Sequence, residues 1–439
     1  MGYLVGLLVL VFGLVVSIAL HELGHFVPAK RFGVRVTRYM IGFGPTLWSR
    51  VRGETEYGIK AIPLGGYVRM VGMIPSAEVV GAEPRGGTVG TIVQEARDAS
   101  GEEIREGEEH RAFYRLSTPK KLTVMLAGPV MNLVIAAVLM AVVLVGIGLP
   151  GGATTTVSAV GDCVLPLDAP ADRTCTDADP VAPAAEADLR PGDRLVSYGG
   201  RPIAEWGDFQ EAVRSVPGSD IPLVVERDGQ QVTLEVTPVR TERPVYDAEG
   251  YPVLDGSGAQ VTEVINYVGV SPTAALERQP WSRVPSEVGT VVWETLKILV
   301  TLPTRLVDVG RAVVGVEERD TTGVIGIVGA GRLAGQIGAE DGSPAGLSGQ
   351  VAGFLLLLAS LNIALFAFNM IPLLPLDGGH VAGALWEGAR RQIARMRGLP
   401  RPVPSDIARM MPVAYVVFAL LIGMTLLLVV ADIVRPVAF

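Results

Sequence analysis

Four long apolar runs divide this chain, and the first sets the pattern. Residues 3–20 read YLVGLLVLVFGLVVSIAL and carry no charge. About 20 such residues, rising 1.5 Å each, cover the ~30 Å hydrocarbon core of a bilayer. Residues 122–149, 349–371 and 412–434 are of the same kind, so four membrane spans are expected. Residues 288–314 are also apolar, with Val291, Val292, Leu296, Leu299 and Leu302, but Glu294, Lys297 and Arg305 interrupt them. An amphipathic helix lying on the membrane surface is expected there. Residues 57–68, YGIKAIPLGGYV, alternate at Ile59, Ala61 and Val68, with Pro63 and Gly65-Gly66 as turn residues, which predicts a β-hairpin. Residues 154–239 read as a β-rich module. In it, EWGDFQEAVR (205–214) predicts a helix, and VVERDGQQVTLEV alternates around Asp228-Gly229, a strong hairpin signal. A further hairpin is expected over 246–268. Residues 72–112 are polar, read as a mobile loop, and His110 within them reads as a solvated histidine.

Composition agrees with this division. The 439 residues are 49% hydrophobic and 19% charged, with a mean hydropathy of +0.40. That is too apolar for an ordinary soluble enzyme of this length and implies a mixed membrane and soluble protein. Charge assigns the sides. Lys30, Arg31, Arg35 and Arg38 follow the first run, and Arg115, Lys120 and Lys121 precede the second. Six arginines lie between the third and fourth runs, from Arg390 to Arg409. Residues 151–350, in contrast, hold 15 Lys and Arg against 29 Asp and Glu, a net of −14 in a chain whose total is −8. Basic flanks mark the cytoplasmic side, so 26–121 and 381–411 are expected inside and 151–350 outside. The first run lacks a basic leader and a small-residue cleavage site, unlike a removable signal peptide. Cys163 and Cys175, the only cysteines, both fall in the outward block, where an oxidising compartment permits a disulfide; two free thiols are the other reading.

The chemistry begins where the first run ends. Residues 21–25 read HELGH. On a helix, His21 and His25 share one face and grip one metal ion, with Glu22 beside them as general base on a metal-activated water. Zinc is the ion that this ligand type favours. A catalytic zinc site needs a third protein ligand and an open fourth position. Asp377, in NMIPLLPLDGGH (369–380), is the candidate, because an ionisable group at membrane depth is costly without a partner. Helix capping by Asp377 and ligation by His380 instead are the alternatives. Pro372 and Pro375 are expected to end the preceding helix, and Gly378-Gly379 to let the backbone turn.

HELGH closing a first span and a late NxxPxxPLDG resemble the site-2 protease family of intramembrane zinc metalloproteases, of the bacterial sigma-factor-regulating type with one PDZ domain. GFGP (42–45), the segment 57–68, AGPVMN (127–132) and GVIGIV (323–328) follow in the family's order. The resemblance implies a polytopic α-helical membrane protein of about four transmembrane helices, with a membrane-associated β-hairpin and an extracytoplasmic PDZ domain. Residues 1–150 would hold the first two helices, the HExxH motif and the re-entrant hairpin. Residues 151–274 would hold the PDZ domain plus hairpin, 275–345 an amphipathic segment, and 346–439 the last two helices with the aspartate ligand. In PDZ domains of the family the turn reads GLRPGD; here Asp188 replaces the glycine in DLRPGD, and Asp tolerates positive φ better than most residues.

By that resemblance His21, His25 and Asp377 bind Zn2+, Glu22 is the base, and Asn369 helps to hold substrate or its developing oxyanion. The hairpin, through Ile59, Lys60, Ala61, Ile62, Gly65 and Gly66, would pair with an unwound substrate by strand addition. Substrates would be single-pass membrane proteins such as anti-sigma factors or signal-peptide remnants, already cut once by a site-1 protease. The setting is the bacterial inner membrane and its lipid, with the active site near the cytoplasmic face; no nucleic-acid partner is expected. A membrane-anchored PDZ adaptor without proteolytic activity is the alternative, and the presence of the base and all three ligands speaks against it.

Overall fold

The computed structural model describes residues 2–83, 86–167, 169, 173–216, 218–245, 260–316, 319, 324–339, 346–400 and 402–437, leaving aside the side chain of Leu64. The helices are α1 (Gly2–Arg31), α2 (Ala77–Val80), α3 (Gly87–Gly101), α4 (Thr118–Ala141), α5 (Pro183–Glu186), α6 (Trp206–Ser215), α7 (Arg283–Val313), α8 (Ile327–Ala339), α9 (Gly346–Asn369), α10 (Asp377–Met396) and α11 (Met411–Val434). The strands are β1 (Val36–Arg52), β2 (Thr55–Met70), β3 (Leu149–Val160), β4 (Arg194–Tyr198) and β5 (Arg201–Pro202), followed by β6 (Ile221–Arg227), β7 (Gln230–Val236), β8 (Val239–Pro244), β9 (Thr262–Tyr267) and β10 (Val270–Glu277). Two compact units result: residues 1–144, 280–339 and 353–439 form one, and 145–279 with 340–352 the other.

Among the described residues, four helical stretches are long and apolar enough to cross a membrane: Gly2–Arg31, Thr118–Ile147, Gly346–Asn369 and Ile407–Val434. They match the four apolar runs. Their large side chains face outward, with Phe12 70% and Leu420 68% exposed, a distribution that suits lipid rather than water. Helix contacts fall instead on small residues, as expected where apolar burial drives nothing. A β-carbon on Gly6 of α1 would lie 2.2 Å from the Ala334 carbonyl oxygen of α8, and Leu10, Ala330 and Ala334 form the buried seam between those helices. Polar clamps hold the ends. Buried Asp432 of α11 accepts the Gly326 and Gly329 N–H groups and pairs with Arg319. Of the GVIGIV stretch, Gly323 lies outside the described residues.

The hairpin differs from its expectation. Residues 57–68 all belong to β2, and the turn joining it to β1 falls at Gly53-Glu54. Both strands bend, so that Tyr39 pairs with Val68 and with Tyr57, and Ile41 with Gly66 and with Ile59. The first half of β1 therefore lies between the two halves of β2. Gly65 makes the bend in β2: its φ of 115° is in the range that side chains avoid, and a β-carbon there would meet the Phe43 ring at 2.5 Å. Turn residues in this sequence thus mark a bend within a strand rather than the end of one.

Residues 72–112 are also more ordered than their polarity suggests. They contain α2 and the fifteen-residue α3, and Arg97 of α3 is buried in an ion pair with Asp406. A polar segment becomes structured here because its charge finds a partner some 300 positions away, which periodicity does not register. His110 sits exposed in a short 3-10 turn, Glu109–Arg111.

In the second unit the sheet order is β10-β3-β4-β6-β7, with β5 pairing β4. Inward positions of β4 and β6, Leu195, Tyr198, Leu223 and Val225, are fully buried against Phe209, Ala212 and Val213 of α6. A reciprocal cap starts α6: Asp208 accepts the backbone N–H of Glu205, while Glu205 caps the third helical N–H. The β6–β7 turn is Asp228-Gly229, both at positive φ, and Asp188 adopts a φ of 57° as its substitution for glycine requires. Arg227 donates twice to buried Asp193, which also accepts the Arg190 N–H. The segment 188–193 is thereby tied to the sheet. β8 pairs with β9, so the first strand of this hairpin lies before the expected range of 246–268 and only β9 falls within it; residues 246–259 lie outside the described residues. Cys163 and Cys175 form a disulfide.

Candidate metal centre

α1 continues past its apolar run without a break through both histidines, and its one proline, Pro28, falls near its C-terminal end, three residues beyond His25. His21 and His25 are therefore stacked one turn apart, with Nε2 atoms 3.3 Å from each other. The carboxylate comes from the far end of the chain. α9 ends at Asn369, a turn containing Pro372 and Pro375 follows, and α10 begins at Asp377. Leu376, not Asp377, is the N-cap of α10, so the capping alternative does not hold. Gly378 and Gly379 serve by smallness: β-carbons there would lie 2.3 Å from the Ile371 carbonyl oxygen and 2.6 Å from the Leu374 nitrogen. The turn folds directly onto the first turn of α10, and Asp377 Oδ2 arrives 3.2 Å from His25 Nε2 and 3.4 Å from His21 Nε2.

The three donor atoms form a nearly equilateral triangle, one carboxylate oxygen and two imidazole nitrogens. A tetrahedral zinc ion with bonds of about 2.0–2.1 Å needs donors separated by about 3.3 Å. The donor set and its spacing fit that ion. Among the described residues these three form the one cluster of at least three His, Cys, Asp or Glu close enough to hold a metal. Burial opposes the Asp377 charge, but hydrogen bonds from His21 and His25 and the attraction of both rings outweigh it and hold the carboxyl well below the usual range. His380 is half-buried and is not part of the cluster; desolvation pushes its pKa down to about 4.

α4 supplies the support. His25 Nδ1 donates to the Val124 carbonyl at 2.8 Å, which assigns Nε2 to the donor triangle. Gly24 of α1 crosses α4 so closely that a β-carbon on it would lie 2.4 Å from the Ala127 carbonyl oxygen. The base candidate Glu22 is 8% exposed, roofed by β2: a β-carbon on Gly66 would lie 2.9 Å from Glu22 Cγ. Of the other strand residues predicted to meet substrate, Ile59 is paired on both sides, with Ile41 and Trp48. Lys60 pairs with Thr46 and its ammonium donates to the Gly44 carbonyl, while Ile62 pairs with Phe43 and Ala61 is exposed. Gly65 and Gly66 lie on the stretch of β2 next to α1. Asn369 is half-buried at the last position of α9, and among the described residues its amide makes no hydrogen bond.

Residues 9–400 match the family model described as Peptidase family M50. The chain belongs to that family. It is 34% identical to the "Zinc metalloprotease Rip1" of Mycobacterium tuberculosis over 440 residues, covering 100% of this chain and 99% of that protein. It is 33% identical to the Rip1 of Mycolicibacterium smegmatis, over 99% and 98% of the two chains. Identity to the "Metalloprotease MmpA" of Caulobacter vibrioides is 30%, over 90% and 89%. The protein is accordingly a zinc metalloprotease of the membrane, as its motifs lead one to expect, and zinc is its metal.

Several features of the protease escaped the motif reading. Gly128 and the Val124 carbonyl bear on His25 through α4, and the AGPVMN stretch was their only trace in the sequence. The buried pair of Lys121 on α4 with Glu387 on α10, at 2.9 Å from both carboxylate oxygens, had no sequence signal at all.

Proposed function

We propose that this protease cuts single-pass membrane proteins within the bilayer, as the second cut after another protease has removed most of the substrate's outer domain. The observation that carries the reading is the convergence of His21, His25 and Asp377 donor atoms at the end of a lipid-facing helix, beside a buried glutamate. In this reading His21, His25 and Asp377 hold zinc, and Glu22 is the general base. Zinc in such a site supplies Lewis acidity, polarising a carbonyl and lowering the pKa of water.

The chain's own groups do the rest. Glu22, shielded under Gly66, takes the proton from the attacking water and passes it to the leaving amine. Val124 keeps the His25 ring in one tautomer. β2 offers backbone groups to a substrate that has unwound, replacing the hydrogen bonds its helix has lost, with Gly66 beside the base and Asn369 toward the scissile carbonyl. The acidic β-rich unit, with its LRPGD turn and α6, acts as an extracytoplasmic PDZ domain that excludes substrates with bulky outer domains, while the basic flanks set the active site toward the cytoplasm of a bacterial inner membrane.

The test is cleavage in proteoliposomes of a single-pass model substrate, with and without a folded outer domain. Wild type should cut only the trimmed form, and both Glu22→Gln and a chelator should abolish cutting. Cutting that survives either treatment rejects the assignment, and equal cutting of both substrate forms rejects the second-cut role.

A further inference from the structure

Asn132, on α4, is a buried side chain for which the protein itself supplies no use. It is 1% exposed, and neither Oδ1 nor Nδ2 has a hydrogen-bond partner among the described residues. Among the described residues it is the one buried amide with both atoms unpaired. Each unpaired group carries its full desolvation penalty, and in hydrocarbon no water offsets it. A leucine of nearly the same shape would avoid that cost.

The position of the amide follows from the His25 ring. Nδ1 donates to the carbonyl of Val124, while Nε2 occupies the space beside Gly128, 2.0 Å from where a β-carbon would be. The ring therefore runs along α4 from residue 124 toward 128, and its metal-facing nitrogen points to the next turn. Asn132 is four residues beyond Gly128, on the same face and about 6 Å farther along the axis. Helical side chains lean toward the N-terminus of their helix, so its amide leans back toward the turn that holds the ring.

We infer that Asn132 is a substrate-binding residue that pairs with the peptide backbone of the unwound substrate: Nδ2 donates to a peptide carbonyl and Oδ1 accepts a peptide N–H. One carboxamide offers the donor and acceptor that one peptide unit needs, and both of those atoms are the ones left unpaired. This rests on the intramembrane protease reading of the same centre.

The experiment compares wild type with Asn132→Leu, and with Asn132→Ala in case leucine is not accommodated, in full-length protein. Thermal stability, zinc content and, in a Glu22→Gln background, affinity for a labelled synthetic transmembrane peptide are measured beside cleavage. The expected result is unchanged zinc, a melting temperature equal to or above wild type, at least 10-fold weaker peptide binding and a 10- to 100-fold fall in kcat/KM. Wild-type binding and cleavage by a leucine variant that melts higher would overturn the inference and leave the protease reading standing. Loss of zinc or of stability in both variants would make Asn132 structural and overturn it equally. A wild type that ignores chelator would remove the protease reading itself, while the binding measurement would still report on Asn132.

Discussion

Gly128 leaves room for His25. A single β-carbon at that position would lie 2.0 Å from Nε2, 2.5 Å from Cε1 and 2.6 Å from Cδ2, so the imidazole fills the volume that every other residue would claim. The ring is then held between a carbonyl at one nitrogen and a bare backbone at the other. Gly128→Ala should displace it, lowering zinc affinity 10- to 100-fold, in the range found when groups supporting a metal ligand are lost. Zinc titration of the purified variant measures this, and a variant with wild-type affinity would show that α4 gives way instead.

Gly66 bears on Glu22, the proposed base, rather than on the proposed ligands. A methyl group there would meet Glu22 Cγ and the Met40 carbonyl oxygen at 2.9 Å and Ile18 Cγ2 at 3.1 Å. Gly66→Ala should therefore lower kcat by at least 10-fold through a misplaced carboxylate, with zinc content unchanged. Metal analysis alongside steady-state kinetics separates the two; loss of zinc in step with activity would contradict the assignment.

Zinc removal should loosen the unit that holds α1 and α10 together, because a ligand bound only by the folded state adds RT ln(1 + [L]/Kd) to stability, about 2.7 kcal/mol at 100 times Kd. Thermal unfolding of the wild type should rise with added zinc. For Asp377→Asn, which keeps the shape but not the charge, the rise should shrink or vanish at the same zinc concentrations.

The Lys121–Glu387 pair predicts an order of damage. Glu387 also pairs with Arg391 and accepts the Ser405 N–H at 3.1 Å. Lys121→Met leaves the carboxylate those partners and should cost about 1–3 kcal/mol. Glu387→Leu takes the shared acceptor from Lys121, Arg391 and the Ser405 N–H at once and should cost about 3–5 kcal/mol. Unfolding in detergent would rank them, and the reverse order would show that the lysine, not the carboxylate, is the hub.

Asp193 makes the β-rich unit sensitive to acid. Burial alone would raise its pKa, but the Arg227 hydrogen bonds and the Arg190 N–H outweigh it and hold the carboxyl below its ordinary value. A carboxyl lowered by folding stabilises the fold above its unfolded pKa, ~3.9 for Asp, and that contribution is lost as pH falls through the folded value. Hydrogen exchange of β4 and β6 in the full-length protein should accelerate below about pH 4. Asp193→Asn should exchange faster at neutral pH, by roughly 2 kcal/mol, and show less further loss on acidification.

Much of this was legible in the residues. Four apolar runs became four helices because hydrocarbon length and helix rise leave little alternative, and HELGH needed only the 3.6-residue turn to stack its histidines. The Asp228-Gly229 turn and α6 followed from local chemistry in the same way. Bends in β1 and β2, and the order within residues 72–112, were not legible. Pairing partners there are chosen by packing, and glycine in a strand looks the same whether it turns, bends or makes room.

Sequence alone therefore determined the four apolar helices and the pairing of two imidazoles beside a glutamate on one of them. Tertiary structure decided that Asp377 reaches His25 across 352 positions, that Gly128 and Val124 aim the ring, and that Asn132 stays buried with nothing to bond. The physical reason is range. Helix formation depends on neighbours within a turn or two, whereas a metal site depends on distances of about 3 Å between groups whose separation along the chain carries no information about their separation in space.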